Sequence, residues 1–166
     1  MKQLILMRHA EAQPDHLIKV DRDRTLSGQG LKQLDEICQK LQGKLHGIEF
    51  ILCSNARRTR QTLEGIKKLL PSSAEVIFED KLYQGSTHYI LERLKRVEDI
   101  YQNVLVVCHN PGLQQFLNHV HQLNGQGMAL RPFETCSLVF FELDAPYWMG
   151  ADFGSLKITN QLAPNS

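Results

Sequence analysis

Three short segments together supply two histidines and several arginines: Met7-Arg8-His9-Ala10, the run Ser54-Asn55-Ala56-Arg57-Arg58-Thr59-Arg60-Gln61-Thr62, and Cys108-His109-Asn110-Pro111-Gly112. A neutral imidazole is a competent nucleophile, and a covalent step through it splits one hard displacement into two easier ones. Guanidinium groups stay charged at any working pH and donate in a planar fork that suits phosphoryl oxygens. A fourth segment, Arg24-Thr25-Leu26-Ser27-Gly28-Gln29-Gly30, brings another arginine just ahead of a helix start. These are the residue types of phosphoryl transfer through a histidine, in which fixed cations stabilise charge on the non-bridging oxygens. Neighbouring guanidinium groups are expected to lower the pKa of His9 and keep one ring nitrogen unprotonated. The other nitrogen needs a carbonyl or carboxylate partner, which spacing alone does not identify.

Residues so far apart in sequence act together only if the fold converges them. Leu4-Ile5-Leu6-Met7, Phe50-Ile51-Leu52-Cys53 and Val104-Leu105-Val106-Val107-Cys108 are continuous apolar runs of strand length, the pattern of strands covered on both faces. Each ends where a histidine or arginine segment begins. Segments of helical period lie between them, so the expected fold class is α/β, a three-layer α/β/α sandwich on a mainly parallel sheet. In such a sheet the strand C-termini share one edge, and ligands bind in the crevice there.

The connecting elements are legible too. Ser27 is placed to cap a helix with Leu31, Leu34, Ile37, Cys38 and Leu41 on one stripe, and Gly43 to stop it. A second helix carries Thr59, Thr62, Leu63, Ile66, Leu69 and Leu70 up to Pro71. Val76-Ile77-Phe78 reads as a short strand, and a Gly85-Ser86 break precedes a helix bearing Tyr89, Ile90, Leu94 and Val97. Pro111 is placed to open a helix with Leu113, Phe116, Leu117 and Val120 inward, its free N–H groups and positive dipole end aimed at the crevice. Ser137–Glu142 and Ser155–Thr159 read as antiparallel strands closing one sheet edge. Residues 1–159 are expected to form one domain, with 160–166 a flexible tail.

Composition sets modest bounds. The chain has 166 residues, 42% of them hydrophobic, which suits one domain with a substantial core. A formal charge of +1 supplies no global field for nucleic acid or membrane, so neither partner is expected. Four cysteines without a C-x-x-C pair, and no apolar leader, point to a reduced, cytoplasmic protein. Cys53 and Cys108, ending apolar strands, read as packing residues.

The four segments together resemble the histidine phosphatase superfamily, the phosphoglycerate mutase-like fold, and within it the small SixA-type phosphohistidine phosphatase branch. Met7-Arg8-His9-Ala10-Glu11-Ala12 is similar to the family's Arg-His motif, and Arg24 to Gly30 to its Arg-Pro-Leu-Thr-x-x-Gly motif. Ser54 to Thr62 resembles Ser-Pro-x-x-Arg-x-x-Gln-Thr, which aligns Arg58 with the family arginine, and Cys108 to Gly112 resembles the segment around the second histidine. Thr25 and Asn55 stand where the family usually has proline. The likeness runs to about residue 145. It implies His9 as phosphate acceptor, with Arg8, Arg58 and His109 on the phosphoryl oxygens and Arg24 and Asn110 as further phosphate contacts. No metal and no cofactor are implied, since the arginines supply the charge.

Larger family members carry a glutamate that protonates the leaving group. Here the matching stretch, Asp80-Lys81-Leu82-Tyr83-Gln84, offers Gln84, with Glu79 and Asp80 as the nearby acids. An alkoxide needs such a proton, whereas a phosphoramidate nitrogen can leave as neutral imidazole, so the lack of an acid favours phosphohistidine. About 25 residues separate the third strand from the His109 strand, enough for one crossover helix and no lid. The expected substrate is therefore a histidine-phosphorylated protein, a phosphocarrier or phosphotransfer domain, met by a monomeric enzyme. The alternatives are a phosphatase of small sugar or nucleotide phosphates and a phosphoprotein-binding module without turnover. Arg57, Arg60, His16, His46, His88, His119 and His121 are expected to be solvated. Glu11 either orients the site or lies in a loop, and Trp148 is expected to cover the terminal hairpin.

Overall fold

Apolar runs become strands and amphipathic runs become helices, alternating through the first two thirds of the chain. A computed structural model of the protein describes residues 1–14, 16, 19–125 and 127–165. Its elements are β1 (Lys2–Arg8), α1 (Gly28–Lys40), β2 (Phe50–Ser54), α2 (Arg57–Ile66), β3 (Glu75–Glu79), α3 (Thr87–Lys95), β4 (Asn103–Cys108), α4 (Gly112–Asn124), β5 (Leu138–Leu143) and β6 (Leu156–Leu162).

The strands form one sheet in the order β3-β2-β4-β1-β5-β6. β1, β2, β3 and β4 run parallel, while β5 and β6 are antiparallel to their neighbours. Val107 pairs with both Met7 and Cys53, so β1, β4 and β2 end level with one another. The residues that follow each strand therefore emerge side by side.

Successive side chains of a strand face opposite layers. Leu4, Leu6, Val104 and Val106 pack on the side of α3 and α4, against Ile90, Leu94, Phe116 and Leu117. Ile5, Met7, Leu105 and Val107 pack on the side of α1 and α2, against Leu34, Ile37, Leu63 and Ile66. Two covered faces explain why these strands carry no polar alternation. The three-layer α/β/α arrangement with an antiparallel C-terminal edge is the one the sequence implied.

Local signals hold in most places. Ser27 Oγ accepts from Gly30 N at 3.0 Å at the start of α1, and Ser86 caps α3 in the same way through Tyr89 N. Gly43 lies beyond the end of α1 with a φ of 73°, where a glycine is at no steric disadvantage. Trp148 is fully buried, its indole N–H donating to Tyr101 O at 2.8 Å, and covers the hairpin end of the sheet.

Three expectations are corrected. Leu31 does not join the buried stripe of α1 but is 56% exposed, because the inward face there is supplied by Gly30, Gln33 and Leu34. α2 ends at Ile66 and gives way to a 3-10 turn, so Leu69 and Leu70 approach the core from outside the helix. The chain beyond Thr159 is not a loose tail from Asn160: β6 continues, pairing Asn160, Gln161 and Leu162 with Phe140, Val139 and Leu138 across a bulge. No helix among the described residues is long and apolar enough to cross a membrane.

Candidate active site

His9 leaves the end of β1 clamped on both sides. Its N–H donates to Cys108 O at 3.3 Å, and its carbonyl accepts from Cys136 N at 2.9 Å. The side chain is only 8% exposed, and its Nδ1 lies 2.7 Å from the carbonyl of Ala10. A carbonyl can only accept, so Nδ1 carries the hydrogen and Nε2 is left with its lone pair. The partner that sequence could not name is thus the next residue's backbone.

His109, emerging from β4, places its ring 5.2 Å from that of His9, tilted by 55°. Its Nε2 meets Ser54 Oγ at 2.7 Å, and the same hydroxyl accepts from Ala56 N at 3.4 Å. The hydroxyl can give its own proton to Nε2 while accepting from Ala56, the arrangement in which the neutral imidazole carries its hydrogen on Nδ1. That Nδ1 is buried without a hydrogen-bond partner among the described residues.

Three arginines complete the ring. Arg8 donates through Nη1 to Phe133 O at 3.0 Å. Arg58, 6% exposed in the first turn of α2, donates to Asp21 O at 3.0 Å and to Asp21 Oδ2 at 3.2 Å. Arg24 donates to Gln13 O at 3.0 Å, and its Nε is ion-paired with Asp21 Oδ1 at 2.9 Å. The Nε atoms of Arg8 and Arg58 are buried with no hydrogen-bond partner among the described residues, a rare condition for a buried donor.

Burial is the main cause that lowers His9 to a pKa of about 4; Arg58, Arg8 and Arg24 push the same way, and the Ala10 carbonyl opposes them. His109 falls to about 3, again chiefly by burial, with His9 and Arg58 adding to the shift. The expected direction is present, but desolvation outranks the guanidinium groups in producing it. Both rings are neutral near pH 7.

The site contains an acid that sequence analysis did not single out. Asp21 sits in a 3-10 turn spanning Asp21–Asp23 and collects Arg58, Arg24 and the Tyr83 hydroxyl, which donates to its Oδ2. The Tyr83 hydrogen bond, followed by the two arginines, holds its carboxyl below the ordinary range. Tyr83 turns its ring edge toward His109 at 5.6 Å. The only trace in the sequence was an acid three positions before a motif arginine, a common ion-pair spacing.

The remaining motif positions are ties and packing. Thr62 Oγ1 accepts from Ala10 N at 2.9 Å and donates to Arg58 O at 2.8 Å, joining the His9 loop to α2. Gln61 Oε1 accepts from Leu26 N at 2.8 Å and so fixes the Arg24 segment. A Cβ on Gly30 would stand 2.1 Å from Glu11 O, and one on Gly112 would stand 2.5 Å from Gly85 O; both positions need glycine for the close backbone approach.

Other expected roles change. Asn110 is engaged at both ends of its amide, donating to Phe133 O at 2.9 Å and accepting from Gln114 N at 3.0 Å. It therefore acts as a cap and brace, because its side chain folds back onto α4. The Leu113 amide is likewise taken by His109 O, which leaves the α4 N-terminus fewer free donors than expected. Glu79 is bound by Arg93 and Tyr89, Asp80 by Arg22 and Asn55, and Gln84 is exposed. Glu79 and Asp80 are thus engaged by groups other than the histidines. Arg57 and Arg60 point outward, Arg60 lying over Phe78. His119 is exposed as expected, one ring face stacked on Phe153, whereas His121 is half-buried and meets Met128 O at 3.0 Å. Glu11 is exposed, and its backbone carbonyl accepts from Ser27 N.

Comparison with known proteins agrees with this geometry. Residues 4–84 match the model of the histidine phosphatase superfamily (branch 1). An uncharacterized protein of Mycobacterium leprae is 31% identical over 112 residues, 63% of this chain and 65% of its own length. The match thus spans just under two thirds of that relative. A structure from Nakamurella multipartitia, assigned as phosphohistidine phosphatase SixA, superposes with a TM-score of 0.81 at 28% identity, covering 99% of this chain and 97% of the other. The protein histidine phosphatase SixA complexed with tungstate gives 0.73 at 28% identity over 98% and 97%. Motif order, sheet topology and these likenesses agree in supporting the histidine phosphatase superfamily, and within it the small SixA-type branch.

Proposed function

We propose that the protein is a phosphatase that removes phosphate from phosphohistidine on another protein, through a phospho-His9 intermediate and without a metal. The observation that carries this reading is the state of His9. Its Nδ1 hydrogen is committed to Ala10, its Nε2 meets no hydrogen-bonding group among the described residues, and the donors of Arg8, Arg58 and His109 that lack partners among those residues belong to the groups around it. Buried donors without partners suit an incoming oxyanion better than any role in packing. The tungstate complex of the related SixA supports it, tungstate being a tetrahedral oxyanion like phosphate.

In the first step Nε2 of His9 attacks phosphorus, a new P–N bond forms, and the P–N bond to the substrate imidazole breaks. A substrate imidazole already protonated on its other nitrogen leaves neutral. Arg8, Arg58 and His109 Nδ1 hold the non-bridging oxygens, with Arg24 behind Asp21 as a further cation. Water then attacks phospho-His9, the P–N bond to His9 breaks, and one water proton passes to solvent as phosphate departs. Asp21 is held ionised, so it has no proton to give an alkoxide leaving group. That favours phosphohistidine over a phosphomonoester.

The test compares wild type with His9→Ala in EDTA, on a histidine-phosphorylated carrier protein and on a panel of small phosphomonoesters. Phosphate release from the phosphoprotein, lost in His9→Ala, and an acid-labile phospho-His9 trapped in wild type are expected. Turnover confined to small esters would transfer the assignment to them; accumulation of no phosphoenzyme would leave a binding module.

A further inference from the structure

Asp21 lies where a phosphatase of this kind has least obvious use for a negative charge. Its carboxylate is shared by three groups from separate parts of the fold: Arg58 from α2, Arg24 from the segment before α1, and Tyr83 from beyond β3. Its backbone carbonyl takes a further Arg58 N–H at 3.0 Å. Two of the three Arg58 nitrogens therefore face one residue, and the third, Nε, is the buried unpartnered donor.

Two consequences follow from simple electrostatics. A fixed anion between two guanidinium groups relieves their mutual repulsion and holds their planes in one orientation. It also subtracts from the potential felt by any other anion bound to the same arginines, an effect that solvent moderates because the Asp21 side chain is 45% exposed. Arg8, Arg24 and Arg58 acting on a phosphate dianion without that subtraction would hold the product firmly. Turnover needs the product to leave, and release often limits the rate.

We propose that Asp21 is a built-in counter-anion of the phosphate site, a positioning residue that orients Arg58 and Arg24 and weakens their grip on inorganic phosphate so that product departs. The proposal rests on the phosphoryl-site reading given above and assigns a release function to a residue outside the four motif segments.

Titration calorimetry with inorganic phosphate, and separately with tungstate, on wild type, Asp21→Asn and Arg58→Ala at pH 7.5 and fixed ionic strength tests it. Asp21→Asn is expected to bind both anions at least tenfold more tightly than wild type. Its steady-state kinetics on the phosphorylated carrier should show kcat and KM falling together. Arg58→Ala should bind at least tenfold more weakly. Unchanged or weaker anion binding in a folded Asp21→Asn protein would overturn the proposal and leave Asp21 as a strut for the arginines. If that variant does not fold, Asp21→Ser is read the same way, since the backbone carbonyl on Arg58 is retained. A wild type that binds neither anion, or an Arg58→Ala protein that binds like wild type, would instead overturn the phosphoryl-site reading itself.

Discussion

At the scale of single residues, the cost of the site is carried by two neutral imidazoles. An ordinary histidine titrates near 6.5, whereas burial brings His9 to about 4 and His109 to about 3. Between those values and 6.5 the unfolded chain binds protons that the folded one refuses. Stability contributed by the neutral rings is therefore complete above pH 6.5 and is lost as pH falls toward 4 and 3. Each ring adds a slope of about 1.4 kcal/mol per pH unit in that window. Urea unfolding of wild type and His109→Gln between pH 6.5 and 5, above the ordinary carboxylate range, should show the variant losing stability less steeply by roughly that amount. Parallel curves would mean that His109 is not held neutral by the fold. The same shifts leave His9 Nε2 unprotonated throughout the neutral range, so the free enzyme should not lose its nucleophile on mild acidification.

At the scale of elements, the site depends on ties between loops that do not touch the reacting atoms. α2 presents Arg58 on one turn and, on the next, Thr62, whose hydroxyl accepts the Ala10 N–H beside His9. One helix thus sets the spacing between the cation and the nucleophile. Replacing Thr62 by valine keeps the shape but leaves the buried Ala10 amide without its acceptor, at an expected cost of about 1–3 kcal/mol. Thermal unfolding should report that loss, and turnover of the phosphorylated carrier should fall with it. Full activity at reduced stability would show that the tie serves the fold alone. Gly30 and Gly112 belong to the same scale, since each allows two backbone segments at the crevice to pass within reach of one another.

At the scale of the whole molecule, the far edge of the sheet reaches the site through one loop. Gln161 in β6 accepts from Arg131 N and donates to Ala129 O, both at 3.2 Å, and so braces the segment leading to Phe133. Phe133 O in turn receives Arg8 at 3.0 Å and Asn110 at 2.9 Å. The antiparallel edge is therefore part of the arrangement that aims Arg8. A chain ending at Thr159 would lose the register pairs of Asn160, Gln161 and Leu162 with β5. It is expected to unfold at a lower temperature and to bind inorganic phosphate more weakly than the full chain. Calorimetry on both proteins checks this, and equal phosphate affinity would detach the edge from the site.

The amino-acid sequence was enough to read the alternation of strand and helix, the layers of the core, and the meeting of Arg8, His9, Arg58 and His109 at one sheet edge. Those features follow from short-range patterns: apolar runs that need two covers, capping residues at fixed offsets, and parallel strands whose ends must align. It also determined Thr62 and Gln61 as motif positions, though not their use. Which groups complete the site was settled by packing in three dimensions. The tautomer of His9 depends on the direction of one backbone carbonyl, and the place of Asp21 depends on a short turn that carries no periodic signal. Asn110, chosen from its position in a motif, spends its amide on α4 and Phe133, because a side chain's bonding depends on what lies within a few ångströms in space. The continuation of β6 past Thr159 was hidden for a related reason: its polar residues are held by pairing with β5 and by the Lys40 contact to Ala163 O at 2.7 Å, not by a hydrophobic pattern of their own.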